Sequence, residues 1–179
     1  MRQVEVSYEE LEQDFKNEFK KLGTDGPYER GVLATSANKF VTARKMRFIP
    51  DGLKIYCWTN KHSRKYKQIL ENPNVAIIVG YIQGEGVASV KGHPMDEKRF
   101  LERYKEQLPE VYEHSVSDWR EYDQLLIEIE PKRLALYRIE DYSDSYMEIL
   151  NISNRTAHRI YDLKSQKEDS SDAPAYVET

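Results

Sequence analysis

Apolar residues change their spacing several times along this chain, and each change predicts an element. Tyr8, Leu11, Phe15, Phe19 and Leu22 recur at intervals of three and four, which predicts an amphipathic helix over residues 7–22. Ser7 and Glu10 form a capping box at its start, and Gly23 closes its end. A turn at Thr24 to Pro27 leads into a strand-dense block. Residues 31–36 form a candidate strand, Asn38-Lys39 a turn, and residues 40–49 a second strand. Pro50-Asp51-Gly52 turns into a third, in which Leu53, Ile55 and Cys57 alternate with Lys54 and Tyr56. From Ser63 the period is helical again, through Tyr66, Ile69 and Leu70, until Asn72-Pro73 ends it after Glu71. Residues 74–82 read as a buried strand, Gly84-Glu85-Gly86 as a turn, and residues 87–92 as a fifth strand.

Pro94 opens a charged helical insertion over residues 96–122. Phe100, Leu101, Tyr104 and Leu108 mark one helix there, with Trp119 and Tyr122 in a further short one. Leu125, Ile127 and Ile129 alternate as a strand, Pro131-Lys132-Arg133 reads as a turn, and residues 134–139 return. Residues 147–152 and 156–161 suggest a terminal hairpin, and the polar stretch 164–179 suggests a disordered tail. Six or more short strands, with helices too few for repeated crossovers, predict a mainly β fold: an antiparallel, Greek-key-like barrel with peripheral helices. Residues 1–163 are expected to form a single domain with its barrel core at 31–139.

Charge narrows the partners. Lys and Arg number 27 against 31 Asp and Glu, a net charge of −4, which argues against nucleic acid or an anionic membrane surface as the main partner. The longest apolar run, Val75 to Val79, is far too short to span a bilayer, and the polar N-terminus does not resemble a secretion signal. The single cysteine, Cys57, excludes an intramolecular disulfide framework, so a cytoplasmic protein is expected. His62, His93, His114 and His158 lack the spacing of a metal site, and Cys57 within a strand suits a small core residue better than a nucleophile.

The stretch Trp58-Thr59-Asn60-Lys61-His62-Ser63-Arg64-Lys65 carries the most chemistry. Ser63 is a good N-cap, yet Arg64, Lys65 and Lys67 crowd the first helical turn, where the helix dipole prefers acids by about 0.3–1 kcal/mol per group. A solvated basic face would account for these residues. So would an anion socket, in which free N–H groups, a hydroxyl and cations converge on a phosphate.

The order strand, turn, strand, Trp-Thr, Ser-Arg-Lys helix, Asn-Pro, strand, Gly, strand, Gly resembles the FMN-binding split barrels, the pyridoxamine 5′-phosphate oxidase-like family. The resemblance covers roughly residues 31–94, with residues 125–137 as closing strands. It implies FMN as cofactor, with Arg44, Lys45, Met46 and Arg47 on the strand along the flavin. Trp58 and Thr59 fall on the ribityl and phosphate side, and Ser63, Arg64 and Lys65 at the phosphate. Strand alternation sets Arg44 with Met46 and opposite Lys45 and Arg47, so Arg44 is expected to act by its side chain and Met46 through its backbone. The resemblance also implies a homodimer with FMN at the interface and a small-molecule substrate.

Departures from the family are visible. The Arg-His pair with which vitamin B6 oxidases hold their substrate has no counterpart after Leu125, and their flavin-contacting glutamine falls at Val87, with Gln83 out of register. The expectation is an FMN-dependent oxidoreductase that exchanges a hydride with a small organic or nicotinamide partner, and that is not a B6 oxidase. A deazaflavin-dependent reductase, a haem-binding or haem-degrading relative using His93 or His158, and a non-catalytic FMN-binding protein are the alternatives.

Overall fold

A computed structural model describes residues 2–21, 30–141 and 144–161. The Thr24 to Pro27 turn, the Gly23 cap and the tail from Lys164 lie outside them. The elements, in chain order, are β1 (Arg2–Glu5), α1 (Tyr8–Lys21), β2 (Arg30–Ala37), β3 (Phe40–Arg47), β4 (Ile49–Asp51), β5 (Lys54–Asn60), α2 (Arg64–Glu71), β6 (Asn74–Val79) and β7 (Ile82–Gly92). A short 3₁₀ turn (Pro94–Asp96) follows, then α3 (Lys98–Gln107), α4 (Pro109–Glu121), β8 (Gln124–Asp141), β9 (Asp144–Asn151) and β10 (Thr156–Tyr161). The strands pair antiparallel in the order β1-β10-β9-β8-β7-β6-β2-β3, while β5 pairs with both β4 and β8. The predicted mainly β architecture with peripheral helices is the one observed. No helix among the described residues is long and apolar enough to cross a membrane.

Helix α1 forms where its period places it. The Glu10 amide donates to Ser7 Oγ at 3.3 Å, and Tyr8, Leu11, Phe15 and Phe19 are buried. Glu9 and Glu10 lie at its start and Lys20 and Lys21 at its end, the arrangement the helix dipole favours. The β2–β3 hairpin closes through Asn38 and Lys39, both at positive φ (50° and 68°), a tight turn whose twist matches the strands it joins.

Four expectations are corrected. Phe48 interrupts the predicted strand 40–49, separating β3 from the short β4. The turn after β6 falls at Gly80-Tyr81, with Gly80 at φ 57°, rather than at Gly84-Glu85-Gly86, which lies inside β7. Those glycines mark close approach: a Cβ on Gly84 would sit 2.8 Å from Ile77 Cγ1, and one on Gly86 2.5 Å from the Glu130 carbonyl oxygen. Pro131 does not end a strand either, because β8 runs continuously past it with a bulge opposite Glu85 and Gly86. The bulge exchanges the odd and even positions, so that Ile127, Ile129, Leu134 and Leu136 all enter one core. Finally, the predicted short helix at Trp119 begins as early as Pro109, a residue suited to a first helical position. Strand β1, too polar to announce itself, pairs with β10.

Two apolar cores result. The inner one joins α1 to the barrel interior through Phe15, Phe19, Leu33, Ile55, Cys57 and Leu150. The outer one lies beneath the α3–α4 hairpin, where Phe100, Tyr104, Val116 and Trp119 cover Ile49, Tyr56 and Leu126. Sheet residues are therefore buried on both faces along β5 and the first half of β8.

Gly86→Ala should lower stability by about 1–3 kcal/mol, since a methyl group has no room against the Glu130 backbone. Chemical denaturation measures this, and an unchanged midpoint would show that the bulge can relax.

Candidate functional site: a cationic helix cap beside a split between strands

Ser63 caps α2 with extended backbone (φ −68°, ψ 151°), and its Oγ accepts from the Tyr66 amide at 3.3 Å. The same hydroxyl lies 2.8 Å from Oγ1 of Thr59, which is buried at the end of β5. Asn60 shapes the loop between them, its carbonyl accepting from the Ser63 amide at 3.0 Å and its Oδ1 from the His62 amide at 2.8 Å. The first turn of α2 holds no acid. Arg64 is exposed and Lys65 half-buried.

Arg44 reaches this cap from β3. Its guanidinium donates to the Leu33 carbonyl at 3.1 Å, to Thr35 Oγ1 at 2.7 Å, to Thr42 Oγ1 and to Gln68 Oε1. Thr35 and Thr42 in turn each donate to Gln68 Oε1 at 2.7 Å. Gln68, one turn into α2 and 4 % exposed, thus anchors the helix to β2 and β3 around a half-buried arginine. Burial, and then the charge of Arg64, lowers the pKa of Arg44; burial, and then Arg44, lowers that of Lys65. Among the described residues no carboxylate lies within ion-pair distance of Arg44, Arg64 or Lys65. Three mutually repelling cations are held together at the positive end of a helix, which is a place for an anion.

Beside the cap the sheet splits. Strands β4 and β5 pair as far as Ile49 and Tyr56. Continuing that register would set Arg47 opposite Trp58, but among the described residues β3 pairs only with β2. A cleft of about 220 Å³ opens there, lined by Lys45, Met46, Arg47 and Trp58. Met46 packs on the inner core on the same face as Arg44, as alternation requires, while Arg47 Nη1 turns to Tyr104 Oη on α3, 3.1 Å away. Trp58 packs edge-on against Tyr104 and Trp119. Of the nine residues singled out from sequence, Arg44, Thr59, Ser63, Arg64 and Lys65 therefore meet at the cap. Lys45, Met46, Arg47 and Trp58 meet at the split.

Sequence reading missed Thr35, Thr42 and Gln68, and the contact from α3. Gln68 was detectable as a polar residue one turn after Arg64 on the helix face that must pack. Two other residues weighed from the sequence are occupied otherwise. Cys57 is fully buried, and burial pushes its thiol up to about 12, far from a reactive thiolate. His93 Nδ1 accepts from the Met95 amide and Nε2 lies 2.8 Å from the Trp119 carbonyl, so both ring nitrogens are engaged. The described residues contain no group of three or more His, Cys, Asp or Glu able to hold a metal.

Comparison with known proteins agrees with this architecture. The family model described as Pyridoxamine 5′-phosphate oxidase matches residues 28–138. General stress protein 26 of Bacillus subtilis (strain 168) is 31 % identical over 130 residues, spanning 70 % of this chain and 89 % of that protein. Two solved structures share the fold at lower identity. A pyridoxamine 5′-phosphate oxidase-related, FMN binding protein from Nostoc punctiforme has a TM-score of 0.56 at 12 % identity, covering 84 % of this chain and 96 % of its own. HutZ, a heme storage protein from Vibrio cholerae, has a TM-score of 0.52 at 15 % identity, covering 65 % of this chain and 89 % of its own. With its split between β3 and β5, and with the family model spanning that split and the cap alike, the chain belongs to the pyridoxamine 5′-phosphate oxidase-like family of FMN-binding split barrels.

Proposed function

We propose that the chain binds FMN and works as an oxidoreductase, passing a hydride between the flavin and a small organic or nicotinamide partner. The carrying observation is the convergence of Arg44, Arg64 and Lys65 on the Ser63 cap, with no carboxylate among the described residues to pair them. A dianionic phosphate relieves their repulsion and accepts from the free amides of the first turn. Arg64 and Lys65 hold the phosphate directly, Thr59 orients the Ser63 hydroxyl, and Arg44, fixed by Gln68, supplies positive field from behind. The cleft between Lys45, Met46, Arg47 and Trp58 receives the ring, which meets the backbone of an unpaired strand edge at Met46. Bound flavin supplies the electron chemistry, and the chain supplies position and charge.

Pyridoxamine phosphate is not the substrate on this reading, because the Arg-His pair that would hold it has no counterpart. His93, one of the two histidines considered for haem, has both ring nitrogens engaged. A homodimer fits the outer face of β2, β3 and β6, where Val41 is 72 % and Ile78 47 % exposed. Ala34, Ala76 and Val87 line a groove of about 460 Å³ on that side. A flavin shared by two subunits would tighten the dimer by mass action, so apoprotein should dissociate at higher concentration than holoprotein in sedimentation. Equal dissociation of the two would leave each barrel holding its flavin alone.

Titration of apoprotein with FMN and with riboflavin, followed by flavin fluorescence, tests the phosphate assignment. FMN should bind far more tightly, and Lys65→Met or Arg64→Ala should weaken FMN by about 1.5–3 kcal/mol each without weakening riboflavin. Lys67→Ala, exposed on the same helix, should change neither, whereas equal losses at all three positions would reduce the site to bulk charge.

The same Lys65→Met variant should be more stable than wild type as apoprotein at neutral pH. With its folded pKa depressed by burial and Arg44, the charged lysine disfavours the fold at neutral pH. The unfolded chain binds the proton more tightly, so wild-type stability gains as pH rises through the depressed value toward the ordinary 10.5, and the advantage of the variant shrinks. Denaturation of both proteins between pH 7 and 10 checks the sign. A variant less stable than wild type at pH 7 would contradict it.

A further inference from the structure

A further cavity, of about 400 Å³, opens where α1, the β4–β5 turn and α3 come together. None of its described lining residues belongs to the cationic cap or to the cleft at the split. Phe19 and Pro50, both buried, give it apolar lining. Lys16 and Lys20, one helical turn apart, line it from α1, and Arg103 and Glu106 from α3.

The charges around this cavity do not pair off. Lys16 Nζ meets Glu12 at 3.1 Å. Asp51, beside the turn, is taken by Arg99, whose Nε and Nη2 donate to its two oxygens at 2.8 and 2.6 Å. Arg103 is left with less. Its Nη1 donates to Glu106, but its Nε, 3.3 Å from Asp51 Oδ1, is buried without a hydrogen bond among the described residues. Nη2 makes none among them either, so the side-on fork of Nε and Nη2 is open. Lys20 is exposed and has no carboxylate partner among the described residues. One positive charge and one open guanidinium fork therefore remain on opposite walls of the cavity.

Buried N–H donors are rarely left unpaired, and one on a residue lining a cavity has room for an acceptor from outside the chain. A carboxylate fits such a fork through two parallel hydrogen bonds. One spare charge suits a monoanion. The volume falls in the range of small-ligand sites. Phe19, the one aromatic among the described lining residues, is only 1 % exposed, so no ring face is offered for stacking and a flexible chain is the better fit. We propose that this cavity binds a small aliphatic monocarboxylate, with its headgroup between Arg103 and Lys20 and its chain along Pro50 and the methylene stem of Lys16. Neither the site nor its test depends on the flavin reading.

Hexanoate, hexanamide and acetate are the probes, titrated into the full-length chain by calorimetry at neutral pH and low salt. Hexanoate should bind with a dissociation constant of about 1 mM or below. Hexanamide, which lacks the charge, and acetate, which lacks the chain, should each bind at least about tenfold more weakly. Lys20→Met should cost hexanoate about five- to tenfold. Arg103→Lys, which keeps the charge and loses the fork, should cost a similar factor. Lys98→Met, exposed on the first turn of α3, and Lys65→Met, at the cap, should leave hexanoate binding unchanged.

Equal affinity for hexanoate and hexanamide overturns the proposal, as does a wild-type chain that takes up no hexanoate at about 10 mM. Hexanoate binding lost in Lys65→Met and kept in Lys20→Met would move the anion to the cap and overturn it as well. Lys20→Met removes no ion pair among the described residues, so its loss of hexanoate at an unchanged thermal midpoint is the result that a merely structural role would not give.

Discussion

Everything at the site depends on three positive charges held together with no carboxylate among the described residues to neutralise them. Arg44, Arg64 and Lys65 converge at the positive end of α2, and two of them are partly withdrawn from water. Such a cluster opposes folding. It persists because other contacts oblige it to: Gln68 accepts from Thr35, Thr42 and Arg44 at a single oxygen and pins the helix to the hairpin that carries the arginine. A buried network of this sort is stable only when its members are satisfied together. The described residues do satisfy it, and the charges facing outward from it are left for a ligand.

The second constraint is the parting of β3 from β5. One interrupting residue, Phe48, lets the chain leave its pairing with β2 and begin a new ladder with β5. The edges left behind face a cleft rather than a neighbouring strand, and two separately packed cores keep them apart. The inner core fixes α1 and the barrel, and the outer core fixes the α3–α4 hairpin against Trp58. The cationic cap and the cleft, which the proposed function gives to the phosphate and the ring, are thus set by different parts of the molecule.

Much of this was legible in the sequence, for physical reasons that differ by element. Helices α1 and α2 carried their period and their caps in adjacent residues, and the misplaced cations of α2 were visible because dipole and charge disagree locally. The cap and the four residues of the split were drawn together only by a resemblance to a family, since no spacing rule relates residue 44 to residue 65. Glycines and proline misled. Gly84, Gly86 and Pro131 read as turns, yet they allow a bulge and a close crossing inside long strands, a distinction made by tertiary contact alone. The hydrogen bond between Arg47 and Tyr104 was hidden for the same reason, because the ring obeys the helical period and only its hydroxyl departs from it.

The phosphorus resonance of bound FMN, followed by NMR as pH is lowered, tests the cationic cap most directly. A free phosphate monoester takes up its second proton near pH 6, at about the value known for phosphorylated side chains. Held by Ser63, Arg64 and Lys65 at a helix N-terminus, the phosphate should remain dianionic well below that, with its resonance unchanged through about pH 5. A bound phosphate that titrates near pH 6, as it does in free FMN, would contradict the account.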